Sequence, residues 1–461
     1  MKMNYTFILV CVFSSLFSFT FAEKKPNILI LLADDLGYGE LGCYGQEVIQ
    51  TPTIDALAEK GLRFTQFYAG TSVCAPSRAV LMTGIHAGKV SIRGNRGYFE
   101  EKGDWDRIAL RKDEVTIAEM LKSAGYQTAF VGKWHLGDPL DVSTWAHGRG
   151  FDYAVQEQWG SKAEGGKFDV REHQVNGRES TLWYDYSQYD CLDEFRTNIA
   201  LDYFDKQYDA SKPFFLFMSF RSPHAHEFYL GEMDRYKEHR WPEIERRHAS
   251  RISMLDQQVK RLLDKLEKIG ELNNTFILFT SDNGPHGEEK HDPYFFESSN
   301  GLKGHKRDMY EGGVRVPGIA YWAGKSVRGV SEHQAIFYDI MPTLAEVAGV
   351  EAPKQTDGIS FLPEVLGKEQ TKHDHLYWEL QTLIPDENGN LSYRRAARTG
   401  DWKAVRYEDK GSTELYNLTS DLYEKNDIAK QHPEIVKSME KVILECSEKN
   451  PHFPNAGMAI E

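Results

Sequence analysis

Apolar positions along the chain fall into two patterns. Continuous apolar runs of strand length occupy 27–33 (NILILLA), 126–131 (YQTAFV), 214–220 (FFLFMSF) and 275–280 (TFILFT). A strand without polar alternation is covered on both faces, as in a sheet sandwiched by helices. Elsewhere the period is that of a helix. Ile252, Leu255, Val259, Leu262, Leu263, Leu266 and Ile269 recur on one face and predict an amphipathic helix over 244–269. Thr51-Pro52 caps and starts a shorter helix that stops at Gly61. Thr116 and Glu119 have capping-box spacing, for a helix ending near Gly125. Strands alternating with helices predict an α/β fold, a large domain with a mostly parallel mixed sheet between helices. After about residue 365 the character changes. Segments 375–380, 393–398, 402–407 and 413–416 are short and mix apolar with polar residues, and a helical stretch covers 432–448. They predict a smaller C-terminal domain, an antiparallel sheet with a helix on it. The expected division is 23–365 and 366–461.

The first 22 residues carry a different pattern. Lys2 precedes an apolar run from Phe7 to Phe21, Thr20-Phe21-Ala22 forms a small-residue cleavage site, and Glu23, Lys24 and Lys25 follow. This reads as a signal peptide at 1–22 and a periplasmic or secreted chain, with no membrane attachment after cleavage. A retained membrane anchor is the alternative, though the run is short for a span. Cleavage removes Cys11 and leaves Cys43, Cys74, Cys191 and Cys446, too few and too scattered for a disulfide framework. The formal net charge of -14 argues against nucleic acid as a partner and against global steering of a polyanion. A negatively charged substrate therefore needs a local basic cluster or a bound metal.

The buried runs converge on chemistry. In a doubly covered sheet, ligands bind beyond the carboxyl ends of the strands. Run 27–33 leads into Asp34 and Asp35, run 126–131 into Lys133 and His135, run 214–220 into His224, and run 275–280 into Asp282 and Asn283. Four strands delivering charged or coordinating residues at one end predict one site. Asp34, Asp35, Asp282 and Asn283 are oxygen donors suited to a hard cation such as calcium. Asp-Asp alone would be a helix cap or loop; the second pair makes the metal reading the stronger one.

Cys74-Ala75-Pro76-Ser77-Arg78 is the most specific segment. It matches the motif whose Cys is oxidised to formylglycine by a formylglycine-generating maturation enzyme. Pro76 can start a helix whose first-turn N–H groups face an anion at position 74, and Arg78 can hold that residue or a sulfate oxygen. With PNILILLADDLGYGELGCYG, CAPSRAVLMTG, GKWHLG, FTSDNG, KRDMYEGGVRVP and the late ELYNLTSDLYEKNDIA, the chain resembles the type I, formylglycine-dependent sulfatases. These form the arylsulfatase branch of the alkaline-phosphatase superfamily, and the resemblance extends to bacterial polysaccharide sulfatases.

The resemblance implies a role for each position. Asp34, Asp35, Asp282 and Asn283 would bind Ca2+, with formylglycine-74 facing it. Arg78 and Lys133 would support the formylglycine, and His135 would be the base acting on its hydroxyl. His224 and Lys306 would bind sulfate and protonate the leaving oxygen; His226 and Lys303 are the rivals for these two roles. One hydroxyl of the hydrated aldehyde would attack sulfur, and the second, deprotonated by His135, would expel sulfate and restore the aldehyde. The expected substrate is a sulfate monoester, preferably on a sulfated glycan. The alternatives are a phosphonate or phosphate ester hydrolase of the same superfamily and an inactive glycan-binding homologue. Arg93-Gly94-Asn95-Arg96, after the nucleophile, is read either as a sugar contact or as a plain surface turn.

Overall fold

The computed structural model describes residues 24–158, 169, 171–225, 234–385 and 391–460. The signal-peptide expectation at 1–22 and the rival His226 lie outside them. The strands in chain order are β1 (Asn27–Asp34), β2 (Leu62–Tyr68), β3 (Gly97–Phe99), β4 (Asp104–Asp106), β5 (Gln127–Gly132), β6 (Tyr153–Glu157), β7 (Glu172–Val175) and β8 (Ser180–Trp183). They continue with β9 (Phe214–Pro223), β10 (Thr275–Ser281), β11 (Gly318–Trp322) and β12 (Gly329–Ile336). All but the small β3–β4 hairpin join one ten-stranded sheet in the order β12-β2-β11-β10-β1-β9-β5-β6-β7-β8. Its centre is parallel: β1 pairs in parallel with β10 and β9, and β5 with β9 and β6. Antiparallel β11, β7 and β8 lie toward the margins.

The apolar runs are explained by helices on both faces. Ile28, Ile30 and Leu32 of β1 enter one core with helices α2 (Cys74–Thr83), α3 (Ile117–Ser123) and α7 (Ile340–Ala348). Leu29, Leu31 and Ala33 enter the other with α1 (Pro52–Lys60), α4 (Leu192–Lys206) and α5 (Glu243–Lys268). Every residue of β1 is therefore buried, and the polar half of a normal strand pattern disappears. Along α5, Leu255, Val259, Leu262 and Leu266 are fully buried, each worth roughly 1.5–3 kcal/mol relative to exposure. The expected capping box of α3 is present, Thr116 Oγ1 accepting from Glu119 N and Glu119 Oε2 accepting from Thr116 N.

Two four-residue helices, α6 (Glu311–Val314) and α8 (Leu362–Val365), precede the C-terminal sheet. That sheet runs β13 (Leu376–Pro385), β14 (Leu391–Thr399), β15 (Trp402–Tyr407) and β16 (Ser412–Asn417), all antiparallel. On one face Tyr377, Ala397, Ala404 and Leu415 meet Met439 and Ile443 of α9 (Pro433–Cys446). Leu376, Trp378, Leu380 and Val405 join the core of the large sheet. Buried polar links reinforce the contact: Lys403 meets Glu311 at 2.8 Å, and Trp378 Nε1 donates to Ala69 O.

Candidate active site

The carboxyl ends of β1, β5, β9 and β10 meet at one edge of the sheet. Asp34 closes β1 and Asp35 follows with φ 65°, a left-handed conformation that turns its carboxylate into the site. Asp282 follows β10, and its backbone N–H donates to Ala33 O at 3.1 Å. The acidic side chains then knit together: Asp35 N–H donates to Asp282 Oδ1 at 3.0 Å, and Asn283 Nδ2 donates to Asp35 Oδ1 at 2.7 Å. Cys74 opens α2 with its Sγ 3.7 Å from Asp34 Oδ1 and 3.9 Å from Asp35 Oδ1. This sulfur marks the side chain that the motif would convert to an aldehyde. Burial pushes the Cys74 thiol up to about 12, so the unmodified cysteine is a poor nucleophile.

Cations frame the carboxylates. Lys133 Nζ donates to both oxygens of Asp34, at 2.8 and 2.7 Å. Arg78, one turn into α2, donates from Nε to Asp282 Oδ2 at 2.8 Å and from Nη1 to Ser219 Oγ and Lys133 O. Lys133 reaches the site because β5 ends in Gly132 at φ 123°, where a Cβ would lie 1.8 Å from Ser219 O. Burial alone would raise Asp34, but Lys133, Arg78 and Arg221 hold it well below the usual carboxylate range. Burial raises Asp35 and Asp282, with Lys306 and Arg78 respectively pulling the other way. Side-chain cations thus satisfy the three carboxylates unevenly.

His135 follows Lys133 by two residues, also left-handed at φ 62°. Its Nε2 accepts from Arg107 Nη1, which also donates to Asn95 O, and Asn95 Oδ1 accepts from Ala75 N beside Cys74. Burial and then Arg107 push His135 well below the ordinary histidine value, so it stays neutral. Opposite lies His224, after the cis Ser222–Pro223 peptide, with Nε2 3.6 Å from Asp35 Oδ2 and 3.4 Å from Lys306 Nζ. Lys306 Nζ donates to Asp35 Oδ2 at 2.8 Å and lies 3.2 Å from Glu288 Oε1. The structure thus joins Asp34, Asp35, Cys74, Arg78, Lys133, His224, Asp282, Asn283 and Lys306 by direct contacts. His135 is tied in through Arg107 and Asn95.

The rival Lys303 is elsewhere: its Nζ donates to Tyr416 Oη at 2.8 Å and lies over the Tyr310 ring. Arg93 is not a surface sugar contact. It is 1 % exposed and pairs with Glu379 of β13 at 3.0 Å, binding the C-terminal sheet to the neighbourhood of Cys74. Sequence reasoning passed over Ser219, Arg221, Glu157 and Glu288. Arg221 pairs with Glu157 at 3.0 Å and approaches Asp34 Oδ2 at 3.8 Å. Its signal was available, since it directly follows the apolar run of β9. Glu288 lies on a loop and carries no pattern of its own.

The oxygen set fits a hard divalent cation. Among the described residues Asn283 Oδ1 is buried without a hydrogen-bond partner, and Asp34, Asp35, Cys74 and His224 offer atoms within 4.8 Å of one another. A second buried cluster, Glu40, His248 and His291, also gathers ligand atoms within 4.8 Å. There, however, the two imidazoles stack at 3.7 Å and 17°, so their in-plane lone pairs run side by side and do not converge. Each is held by a carboxylate, His248 by Glu40 and His291 by Glu245. The cluster pins the loop after β10 to α5.

The family described as Sulfatase matches residues 26–350, and N-sulphoglucosamine sulphohydrolase, C-terminal, matches 303–449. An arylsulfatase of Hemicentrotus pulcherrimus is 32% identical over 413 residues, covering 86% of this chain and 70% of that protein. The N-acetylgalactosamine-6-O-sulfatase of Bacteroides thetaiotaomicron is 28% identical over 508 residues, covering 91% and 93%. The crystal structure of Ps i-CgsB in complex with k-i-k-neocarrahexaose has a TM-score of 0.78 at 25% identity, covering 94% of this chain and 95% of that one.

Proposed function

This chain belongs to the sulfatase family and is a sulfuric ester hydrolase; from that premise we propose that it cleaves a sulfate monoester on a sulfated glycan, using formylglycine at position 74 and calcium. The observation that carries this reading is the convergence of Cys74 on Asp34 and Asp35 at 3.7 and 3.9 Å, inside a ring of cations. The relatives named as an N-acetylgalactosamine-6-O-sulfatase and as a complex with k-i-k-neocarrahexaose support a sugar as the leaving group. The leader-like residues 1–22 support export, and among the described residues no helix is long and apolar enough to cross a membrane.

In this proposal Asp34, Asp35, Asp282 and Asn283 hold the calcium. When bound, the ion neutralises sulfate oxygens and lowers the pKa of the hydroxyl presented at position 74. Arg78 and Lys133 fix that side chain and the Asp34–Asp282 frame. The hydroxyl attacks sulfur, and the bond from sulfur to the leaving oxygen breaks. Lys306, or His224 when it carries a second proton, gives a proton to that oxygen, and charged Lys306 lowers the charge around sulfur. Neutral His135 then takes the proton of the second hydroxyl at residue 74. The carbonyl re-forms and sulfate departs, a step that a serine or cysteine could not make.

The test is co-expression with a formylglycine-generating enzyme, mass spectrometry of the residue-74 peptide, and sulfate release from a panel of sulfated glycans and one aryl sulfate. The expected result is conversion of Cys74 and release that chelation of calcium stops. Cys74→Ala is expected to stay folded and to lose turnover. Turnover retained in that variant, or in chelated enzyme, overturns the mechanism.

A further inference from the structure

Glu288 occupies the side of the site that faces His224 and Lys306. Its Oε1 is shared by two cations, Arg307 Nη2 at 2.5 Å and Lys306 Nζ at 3.2 Å. Its Oε2 makes no hydrogen bond to protein among the described residues and lies 4.0 Å from His224 Nε2. The side chain is 26% exposed, whereas Lys306 is 2% and Asp35 fully buried. Of the two carboxylates beside His224, it is therefore the one that solvent reaches.

The carboxylate is held in place from behind. Glu288 N–H donates to His286 Nδ1 at 3.1 Å, and His286 Nε2 lies 3.2 Å from Pro223 O, next to His224. The loop is fixed again three residues on, where His291 Nδ1 meets Glu245 Oε2 at 2.7 Å and Asp292 N–H donates to Glu245 Oε1. Arg307, left-handed at φ 79°, donates its backbone N–H to Ser72 O at 2.7 Å, which fixes the partner on Oε1. A rigid acceptor with one oxygen spoken for and one facing substrate is a preorganised reader of a hydroxyl.

We propose that Glu288 is a specificity residue whose Oε2 accepts a hydrogen bond from a hydroxyl on the carbon next to the sulfate ester, so that the substrate is a sulfate ester with a free neighbouring hydroxyl. This rests on the proposed leaving-group role of His224. The oxygen on the carbon next to the ester lies about one hydrogen-bond length from the leaving oxygen, so a leaving oxygen at His224 Nε2 can bring it within reach of Glu288 Oε2, 4.0 Å from that nitrogen. A hydroxyl there has a proton to give. An ether leaves the acceptor unsatisfied, and a second sulfate sets anionic oxygen against carboxylate. A site built to bond a hydroxyl rejects analogues that lack it far better than an apolar pocket rejects extra bulk.

The test uses 2-hydroxy-5-nitrophenyl sulfate and its 2-methoxy counterpart, which differ only in the neighbouring donor. Binding is measured by titration calorimetry on calcium-loaded Cys74→Ser protein, at mildly acidic pH where the hydroxyl is protonated. With Glu288 intact, the hydroxy ester is expected to bind about tenfold more tightly, the worth of one hydrogen bond to a charged group. Glu288→Ala brings the ratio close to one. Glu288→Gln keeps an acceptor and therefore keeps part of the preference, which a purely charge-balancing Glu288 would not. Equal binding of the two esters to the intact site, or a full preference surviving in Glu288→Ala, overturns the proposal. Failure of both esters to bind overturns the sulfate-site reading beneath it.

Discussion

The inner and outer halves of the site are built on opposite plans. Inside, Lys133 meets Asp34 at 2.7 Å and Arg78 meets Asp282 at 2.8 Å, with side chains 0–4% exposed. Outside, His224 stands 3.6 Å from Asp35 and 4.0 Å from Glu288, and Glu288 and Arg307 are 26% and 31% exposed. The inner half is paired before any substrate arrives, so its polar groups do not have to reorganise during the reaction. The outer half has slack that a substrate group can fill. Strand ends and the start of α2 build the first, and loops after β9 and β10 build the second.

The strongest way to break this comparison is through Arg78. Arg78→Met leaves Asp34 and Asp282 buried with a partner removed, and should cost about 3–5 kcal/mol of stability together with turnover. Urea unfolding that matches the wild type would show the inner frame is not a structural unit. His224→Ala should behave in the opposite way. It is expected to lower kcat/KM by about 10²–10⁴-fold, most for esters with poor leaving groups, while stability changes by only about 1 kcal/mol. A stability loss as large as that of Arg78→Met would erase the distinction.

The same division governs what could be read from sequence. Asp34, Lys133 and Asp282 were legible because each follows a strand whose double burial strips it of polar positions. Cys74 and Arg78 were legible from one short motif. Their pairing was not: Arg78 and Asp282 are 204 residues apart and meet only because β1 lies between β9 and β10. Among the strands, β12 shows the opposite case, since its first half is largely exposed and carries no apolar signature. Glu288 and Arg107 were missed because a loop residue's role depends on what the rest of the fold brings beside it. Arg93 was misplaced as a surface residue for the same reason, its partner Glu379 being supplied by β13.

Calcium sharpens the comparison at a smaller scale. With burial raising Asp35 and Asp282 and Asn283 Oδ1 without a partner, a cation is expected to bind the folded state and not the unfolded chain. At about a hundredfold excess over its Kd it should add about 2.7 kcal/mol, read as a rise in the unfolding midpoint that chelator reverses. Asn283→Leu should reduce that increment at fixed calcium. Glu288→Ala, in the outer half, should leave it in place.

Taking one buried histidine out of the acid titration gives the smallest effect, about 2 kcal/mol between pH 6.5 and 5, and the titration itself crosses both halves. Burial lowers His135 in the inner half and His224 in the outer half, as well as His86 to about 4 and His173 to about 3 away from the site. Each is neutral when folded but takes up a proton near pH 6.5 once unfolded. The unfolded state therefore binds more protons below pH 6.5, and stability falls as pH drops from there toward the lowered folded values. For each such histidine the slope is about 1.4 kcal/mol per pH unit. Asp282 and Glu424, which burial raises to about 6 and about 7, take up protons first in the folded state and offset part of the decline. The buried carboxylates that ion pairs hold low add to it only below about pH 4. Urea midpoints measured from pH 7.5 to 5 should decline accordingly. Replacing His173, whose Nε2 accepts from Arg196 Nε at 3.0 Å, with Gln keeps an acceptor without a titrating group and should flatten the decline. A decline of the same slope in His173→Gln as in the wild type would mean that this histidine is accessible to protons in the folded protein, and the buried frame is looser than its distances imply.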